Sequence, residues 1–292
     1  MIWLTGSTGL LGREVARLAA AAGRPLVGPE RRVDVTDPQA VRSFARAHRP
    51  HCILNCAAHT RVDAAEGDEA AAMRVNADGP AYLAEAAGEV GAVLIHVSTD
   101  YVFDGRKAQP YTEYDVPAPL GAYGRSKLAG EDVVRASGVP HVIVRTSWLH
   151  GPLGRSFVGT VLGKLQRGES LRVVADQRGR PTYAEDLARV LLTLASSDAA
   201  FRGTYHVANR GACSWFDLAV EVRDQARSRG LLASDVPIEP VAAAAFPATA
   251  PRPAWSILAT ERIEAALGSR LPPWQDGVAR HLDRVREGRN GS

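Results

Sequence analysis

Ile2-Trp3-Leu4-Thr5-Gly6-Ser7-Thr8-Gly9-Leu10-Leu11-Gly12 opens the chain. The first residues form a short apolar run, a strand by its pattern, and it stops at Gly6. Residues 11–22 carry apolar side chains on one helical face and are rich in alanine, a strong helix former. Between strand and helix lies G-x-x-G-x-x-G. Glycines there permit a tight turn and close backbone approach, so that N–H groups at the helix start can hold a pyrophosphate. A glycine pattern alone is weak, but one that follows a strand and opens a helix has the required context. Gly6, Gly9, Leu10, Leu11 and Gly12 are the first candidate cofactor-binding residues. The plainer reading is a turn glycine with a packing glycine.

The alternation continues outward. Residues 25–27, 52–55, 93–97 and 142–147 read as strands. Residues 38–47 read as a helix with Asp37 at its N-cap and Pro38 at its first position. Residues 68–90 read as one long helix kinked at Pro80, and residues 123–136 as another. Residues 103–121 carry three prolines and two glycines and read as a loop. Buried strands alternating with helices predict an α/β fold of Rossmann type, a doubly wound parallel sheet that binds ligands beyond the carboxyl ends of its strands. The second half is less regular. Helices are expected over 156–167, 185–195 and 214–229 (capped by Ser214), a strand over 204–208, a loop over 242–253, and a last helix anchored by Trp274 and Val278. The expected division is a dinucleotide-binding domain over 1–148, a smaller substrate-binding region over 149–286 with some chain returning to the first core, and a polar tail over 287–292.

Composition narrows the class. Hydrophobic residues make up 46% and charged residues 23% of 292, enough for an ordinary globular core. The net charge of +3 is small and the arginines are scattered, so nucleic acid is not an expected partner. No apolar run approaches the length of a membrane span, and no charged segment followed by an apolar one marks a signal peptide. Three cysteines, Cys52, Cys56 and Cys213, cannot all pair, and they read as reduced thiols of a cytoplasmic protein.

Candidate chemistry clusters just after the strands. At the end of the second strand an acid holds the cofactor ribose when the cofactor is NAD. Here Glu30 is followed by Arg31 and Arg32, whose guanidinium groups suit a 2′-phosphate, so NADPH is expected and NADH remains possible. A solvated charge cluster is the other reading. Asp34 and Val35 are placed to flank an adenine. Asn55-Cys56-Ala57-Ala58-His59-Thr60 follows the third strand, with small residues that let a cofactor lie against the backbone. Tyr123 and Lys127 stand four apart on one helical face. An ammonium beside a phenol lowers the phenol's pKa, and such a phenol can protonate a carbonyl oxygen as hydride arrives at the carbon. Ser98-Thr99-Asp100 follows the fourth strand, where a hydroxyl can orient the same oxygen.

The glycine loop, S-T-D-Y-V-F at 98–103 and Tyr123-x-x-x-Lys127 together resemble the extended short-chain dehydrogenase/reductases. Within that group the chain is similar to the dTDP-4-dehydrorhamnose reductase family. Supporting segments are N-C-A-A-H-T-R-V-D-A-A-E at 55–66, Y-G-R-S-K-L-A-G-E at 123–131, R-T-S-W-L at 145–149, D-Q-R-G-R-P-T at 176–182 and R-P-A-W-S-I-L at 252–258. The resemblance implies that Thr99, Tyr123 and Lys127 are catalytic and that Thr99, Asp100, Trp148 and Arg252 meet a nucleotide-sugar substrate. It implies that Gly9, Leu10, Leu11, Asp34, Val35, Ala58, His59 and Thr60 line an NADPH site. The implied reaction is reduction of dTDP-4-dehydro-L-rhamnose to dTDP-L-rhamnose. A close alternative is a 4-ketoreductase for another dTDP-deoxysugar, which the same chemistry would serve. A non-catalytic NADP-binding subunit like the regulatory subunit of methionine adenosyltransferase is the alternative of a different class. Some family members share Mg2+ across a dimer through three glutamates. Glu14 and Glu185 fall on two of those positions, but Arg284, beside Asp283, holds the third, so magnesium, and the choice between monomer and homodimer, stay open. His150 stands where tyrosine is common, and is expected to adjust the substrate pocket.

Overall fold

The computed structural model describes residues 1–28, 33–196, 201–246 and 248–290. Glu30, Arg31 and Arg32 therefore lie outside the described residues. The chain begins with β1 (Ile2–Thr5), α1 (Leu10–Ala21), β2 (Leu26–Val27), α2 (Pro38–His48) and β3 (Cys52–Asn55). The Asp37 carboxylate accepts from Gln39 N at 2.9 Å and Ala40 N at 3.1 Å and so caps α2.

The stretch expected as one kinked helix is helical without a gap from Glu69 to Val90, and a short α3 (Val62–Gly67) precedes it. Asp68 then caps α4 (Glu69–Met73), a π-helical turn follows over Arg74–Asp78, and α5 (Gly79–Val90) completes it. The irregularity expected at Pro80 takes the form of this π-helical turn just before it. Pro80 has no N–H to return to the Asn76 carbonyl, and that freed carbonyl is met instead by Gly130, where any Cβ would overlap its oxygen.

β4 (Val93–Thr99) runs two residues further than its apolar pattern, since Ser98 and Thr99 still pair with the next strand. α6 (Ala122–Ala136) and β5 (His141–Thr146) follow. The second half contains β6 (Leu149–His150), α7 (Phe157–Gln166), β7 (Leu171–Val174), β8 (Arg178–Gly179), β9 (Thr182–Tyr183), α8 (Ala184–Ser196), β10 (Gly203–His206), β11 (Cys213–Ser214), α9 (Trp215–Ser228), β12 (Ile238–Val241), α10 (Glu261–Leu267) and α11 (Trp274–Asn290).

Six strands form one parallel sheet in the order β10-β5-β4-β3-β1-β2. Alternate strand residues face opposite sides. Leu4, Leu54, Ile95 and Val144 pack under α1 and α8 with Leu11, Val15, Leu187 and Leu191. Trp3, Ile53, Leu94 and Ile143 pack on the other face against Val41, Leu83 and Val134 of α2, α5 and α6. Both faces are thus covered, as the doubly wound reading requires. A separate core joins α7, α9 and α11 to the β7–β12 pair through Val161, Leu218, Val222, Val278 and Ile238. The chain visits this second core and then returns β10 to the edge of the main sheet beside β5.

Candidate active site

The mouth of β1 is shaped by steric necessity. Gly6 has φ +66°, and a Cβ there would lie 2.6 Å from Ala57 N. Gly12 rests on the Gly6 carbonyl, with no room for a side chain. Gly9 is the extended N-cap of α1, and among the described residues no side chain caps that helix and no acid stands in its first turn. Its leading N–H groups therefore face a groove with unmet donor capacity and a positive dipole end, the setting an anionic group needs.

That groove opens into a cavity of about 670 Å³. One wall is the glycine loop with Ala57, Ala58 and Thr60; the other carries Thr99, Asp100, Tyr123, Lys127 and Trp148. A smaller cavity of about 310 Å³ continues past Gly6 to Asp34 and Val35. Glycine and alanine walls, an uncapped helix start and adjoining space fit an extended dinucleotide. His59 departs from its expected position. It lies outside the lining, and its peptide is clamped by Asn76, which accepts from His59 N at 2.8 Å and donates to His59 O at 3.1 Å.

Three chain segments converge at the far wall. Thr99 ends β4, accepts from Tyr101 N at 3.2 Å and donates to Asp100 Oδ1 at 3.1 Å. Tyr123 stands in the first turn of α6, whose Ala122 N–H is held by Glu66 Oε1 at 2.8 Å. Burial pushes the Tyr123 phenol up to about 12, the Thr99 side chain, in hydrogen-bonding reach, pulls it down, and the Asp100 charge raises it. Asp100 is buried, and among the described residues its Oδ2 has no hydrogen-bond partner. Burial raises its carboxyl to about 6, against hydrogen bonds from Ser256 and Thr99.

The expected tuning of the phenol by Lys127 is not what the packing shows. The Lys127 amine donates to Val97 O at 2.8 Å and lies 3.4 Å from His96 Nε2, below the sheet end rather than on the phenol oxygen. Burial lowers its pKa to about 8, with Glu131 and Cys56 opposing.

Several residues that sequence reasoning missed hold this arrangement. Glu131, one turn beyond Lys127, is fully buried and bound by Arg145, Arg135 and Ser98. Asn76 also donates to Ser126 Oγ on α6 at 3.0 Å. The available signal was polarity out of place: His96 inside the apolar strand V-L-I-H-V, and an asparagine shortly before Pro80.

Trp148 has φ +47°, a left-handed conformation uncommon outside glycine and associated with functional sites. Its ring stacks on Trp215 at 3.5 Å and 8°, and it covers Gly179, where a Cβ would overlap it. Trp215 also lines a neighbouring cavity of about 900 Å³ with Lys164, Arg172 and Arg252. Arg252 thus faces that second space rather than the triad; it pairs with Asp63 at 2.7 Å. His150 lies outside the lining of the first cavity, buried between Tyr183 and His281.

The carboxylates considered for magnesium are already neutralised. Glu14, fully buried, is bound by Arg284 and by Arg17 at 2.8 Å. Glu185 is bound by Arg17 at 2.7 Å and Arg189 at 2.6 Å. Asp283 turns to Arg229 at 2.9 Å. Three guanidinium groups around two carboxylates do not fit a divalent cation, and among the described residues no trio of His, Cys, Asp or Glu is placed to hold a metal. Among the described residues, no helix is long and apolar enough to cross a membrane.

Comparison with known proteins follows the same lines. A family model described as the RmlD substrate binding domain matches residues 1–287. The chain is 42% identical over 279 residues to a probable dTDP-4,6-dihydroxy-2-methyloxan-3-one 4-ketoreductase of Streptomyces antibioticus, covering 94% of this chain and 92% of that one. It is 42% identical over 287 residues to a dTDP-4-dehydrorhamnose reductase of Mycobacterium tuberculosis, covering 96% and 91%. The crystal structure of a dTDP-4-dehydrorhamnose reductase from Bacillus anthracis in complex with NADP superposes with a TM-score of 0.91 at 36% identity, covering 97% of this chain and 98% of that one.

Proposed function

The chain belongs to the RmlD substrate binding domain family, that of the dTDP-4-dehydrorhamnose reductases, and from that premise we propose that it reduces the 4-keto group of dTDP-4-dehydro-L-rhamnose to give dTDP-L-rhamnose. The convergence of Thr99, Tyr123 and Lys127 on one cavity whose other wall is the glycine loop carries this reading. Asp34, Val35, Gly6, Gly9, Leu10, Leu11 and Gly12 would hold NADPH, which when bound would supply the hydride.

The protein supplies the rest. Thr99 and Tyr123 hold the keto oxygen, and the phenol gives it a proton as charge develops. Lys127 offers the site an exchangeable proton. Asp100 Oδ2, a buried acceptor with no partner among the described residues, takes a sugar hydroxyl. Trp148 and Trp215 form the wall against the deoxysugar. Lys164, Arg172 and Arg252 surround a second cavity suited to the diphosphate of the nucleotide. Residues 1–148 chiefly bind cofactor and 149–286 chiefly substrate. The free thiols of Cys52, Cys56 and Cys213 suit the cytoplasm.

The Streptomyces antibioticus relative favours a second reading, a 4-ketoreductase acting on another dTDP-deoxysugar with the same chemistry. Rates of NADPH oxidation on a panel of dTDP-4-keto sugars separate the two. Tyr123→Phe tests what both share: kcat is expected to fall about 100-fold or more with cofactor binding retained. Near-wild-type turnover in that variant would refute the proton donor. A protein that bound NADPH and oxidised it with none of the sugars would be a binding subunit instead.

A further inference from the structure

Under the catalytic amine four polar side chains run in a row through the sheet: Lys127, His96 on β4, Asn55 at the end of β3 and Thr5 at the end of β1. All are buried. Counting donors and acceptors along this row determines which nitrogen of His96 carries the proton. The Ala57 backbone N–H donates to Asn55 Oδ1 at 3.1 Å, and Thr5 Oγ1 donates to the same atom at 2.6 Å. A backbone N–H has no acceptor role, so that atom is the amide oxygen and the NH2 faces the other way. Asn55 Nδ2 lies 3.0 Å from His96 Nδ1. Facing a donor, Nδ1 is left to accept. His96 is neutral, since burial and then the charges of Lys127 and Arg135 hold its pKa well below the ordinary 6.5. A neutral imidazole accepting at Nδ1 carries its hydrogen on Nε2. Nε2 is the nitrogen that faces Lys127 Nζ, 3.4 Å away.

An ammonium has three donors and no acceptor, whereas a free amine has a lone pair. An N–H aimed at this nitrogen matches the amine and opposes the ammonium. We propose that His96, its tautomer fixed by Asn55, presents an N–H in place of a lone pair to Lys127 and so destabilises the ammonium form of the catalytic amine. Swapping the tautomer offers no escape. It moves the conflict to Asn55, whose orientation is pinned by the Ala57 peptide.

The other ionisable groups around Lys127 do not cancel the effect. Cys56 lies beyond β3 with its thiol pushed up to about 12 by burial. Tyr123, one turn back on α6, is neutral at physiological pH. Glu131, one turn on, attracts the ammonium, but its charge is shared with Arg145 and Arg135. Burial already brings the amine down to about 8, and the imidazole N–H acts in the same direction. His96 is thus a positioning residue, acting on substrate only through Lys127. The inference deepens the reductase reading and rests on it solely for the consequence in turnover: an amine that gives up and regains its proton near neutral pH can exchange that proton with the site.

The chain has three lysines, Lys107, Lys127 and Lys164. Protein labelled with 13Cε-lysine therefore gives three resonances, assigned with Lys107→Arg and Lys164→Arg. In cofactor-free wild type, Lys127 is expected to titrate at or below about 8. In His96→Leu, which has no N–H, and in His96→Gln, which can turn a carbonyl oxygen to the amine, the midpoint is expected to rise by about one unit or more while Lys107 and Lys164 stay put. If Leu at this position prevents folding, the Gln variant decides alone. A Lys127 midpoint unmoved in a folded variant overturns the proposal. In turnover, the loss of kcat at high pH should shift upward with the midpoint. A shifted midpoint in a protein that oxidises no NADPH would leave the His96 lock standing and sink the reductase reading.

Discussion

The Glu131 carboxylate on α6 receives the Arg145 guanidinium of β5 through two bonds, Nε to Oε1 at 2.9 Å and Nη2 to Oε2 at 2.6 Å, with both side chains almost wholly buried. Ser98 Oγ adds a third at 2.6 Å. The pair joins the helix that carries Tyr123 and Lys127 to the two strands beneath it. A buried pair of this kind is weak evidence of net stability, yet removing one partner leaves an uncompensated charge.

Glu131→Ala is therefore expected to lose about 3–5 kcal/mol in chemical denaturation. Burial pushes this carboxyl up, and the hydrogen bonds and charge of Arg145, Ser98 and Arg135 more than offset it, so its pKa lies below the ordinary 4.5. For a depressed carboxyl, the stabilisation is present above the unfolded value and is lost as pH falls through the folded one. Wild type should lose stability on acidification below about 4.5, and the Ala variant should lack this component. Equal pH slopes in the two proteins would contradict the assignment.

Asp100 has the opposite shift. Its carboxyl, raised to about 6 by burial, is protonated below that pH and ionised above it. If Oδ2 accepts a sugar hydroxyl, KM for the sugar nucleotide should rise as pH drops through about 6, while KM for NADPH stays flat. Asp100→Asn should bind substrate more weakly at neutral pH and lose this dependence. A wild-type substrate KM that stays flat as pH passes through about 6 would exclude the role.

Gly130→Ala sets two effects against each other. Helix propensity favours alanine by about 1 kcal/mol. The new Cβ would overlap the Asn76 carbonyl, a backbone atom at a π-turn that cannot simply rotate away. Overpacking costs about 1–3 kcal/mol, so net destabilisation is expected in thermal unfolding, together with lower kcat, because Asn76 also positions Ser126 on α6. A stabilised variant would show that α6 and the π-turn move apart freely.

Arg284 stands among Glu14 and Glu185 as a cation supplied by the chain. Chelation of divalent metal is expected to leave turnover and Tm of the wild type unchanged. Arg284→Glu gathers three carboxylates and should lower Tm, with recovery on adding Mg2+. A wild type inactivated by chelator and restored by Mg2+ would refute this.

Local patterns carried the fold a long way. The strand-to-glycine-to-helix opening, the Asp37 cap and the Tyr123–Lys127 spacing are all short-range statements about backbone conformation and helical periodicity. They determine where a mouth forms and which side chains share a face, and the structure agrees at each. The missed features had a weaker local signature. The π-turn over Arg74–Asp78 looks like helix in composition, and its place depends on Gly130 packing against it from another element.

The sequence by itself determined the sheet, the glycine cradle and the identity of a phenol and an amine one helical turn apart, because each follows from residues within a few positions of one another. Tertiary structure alone decided that Arg284 reaches Glu14 across 270 positions, that Trp148 meets Trp215, and that His96 Nε2 faces Lys127. Those outcomes depend on which groups are desolvated together. Desolvation is a property of the packed interior, where an unmatched donor is costly, and periodicity along the chain does not encode it.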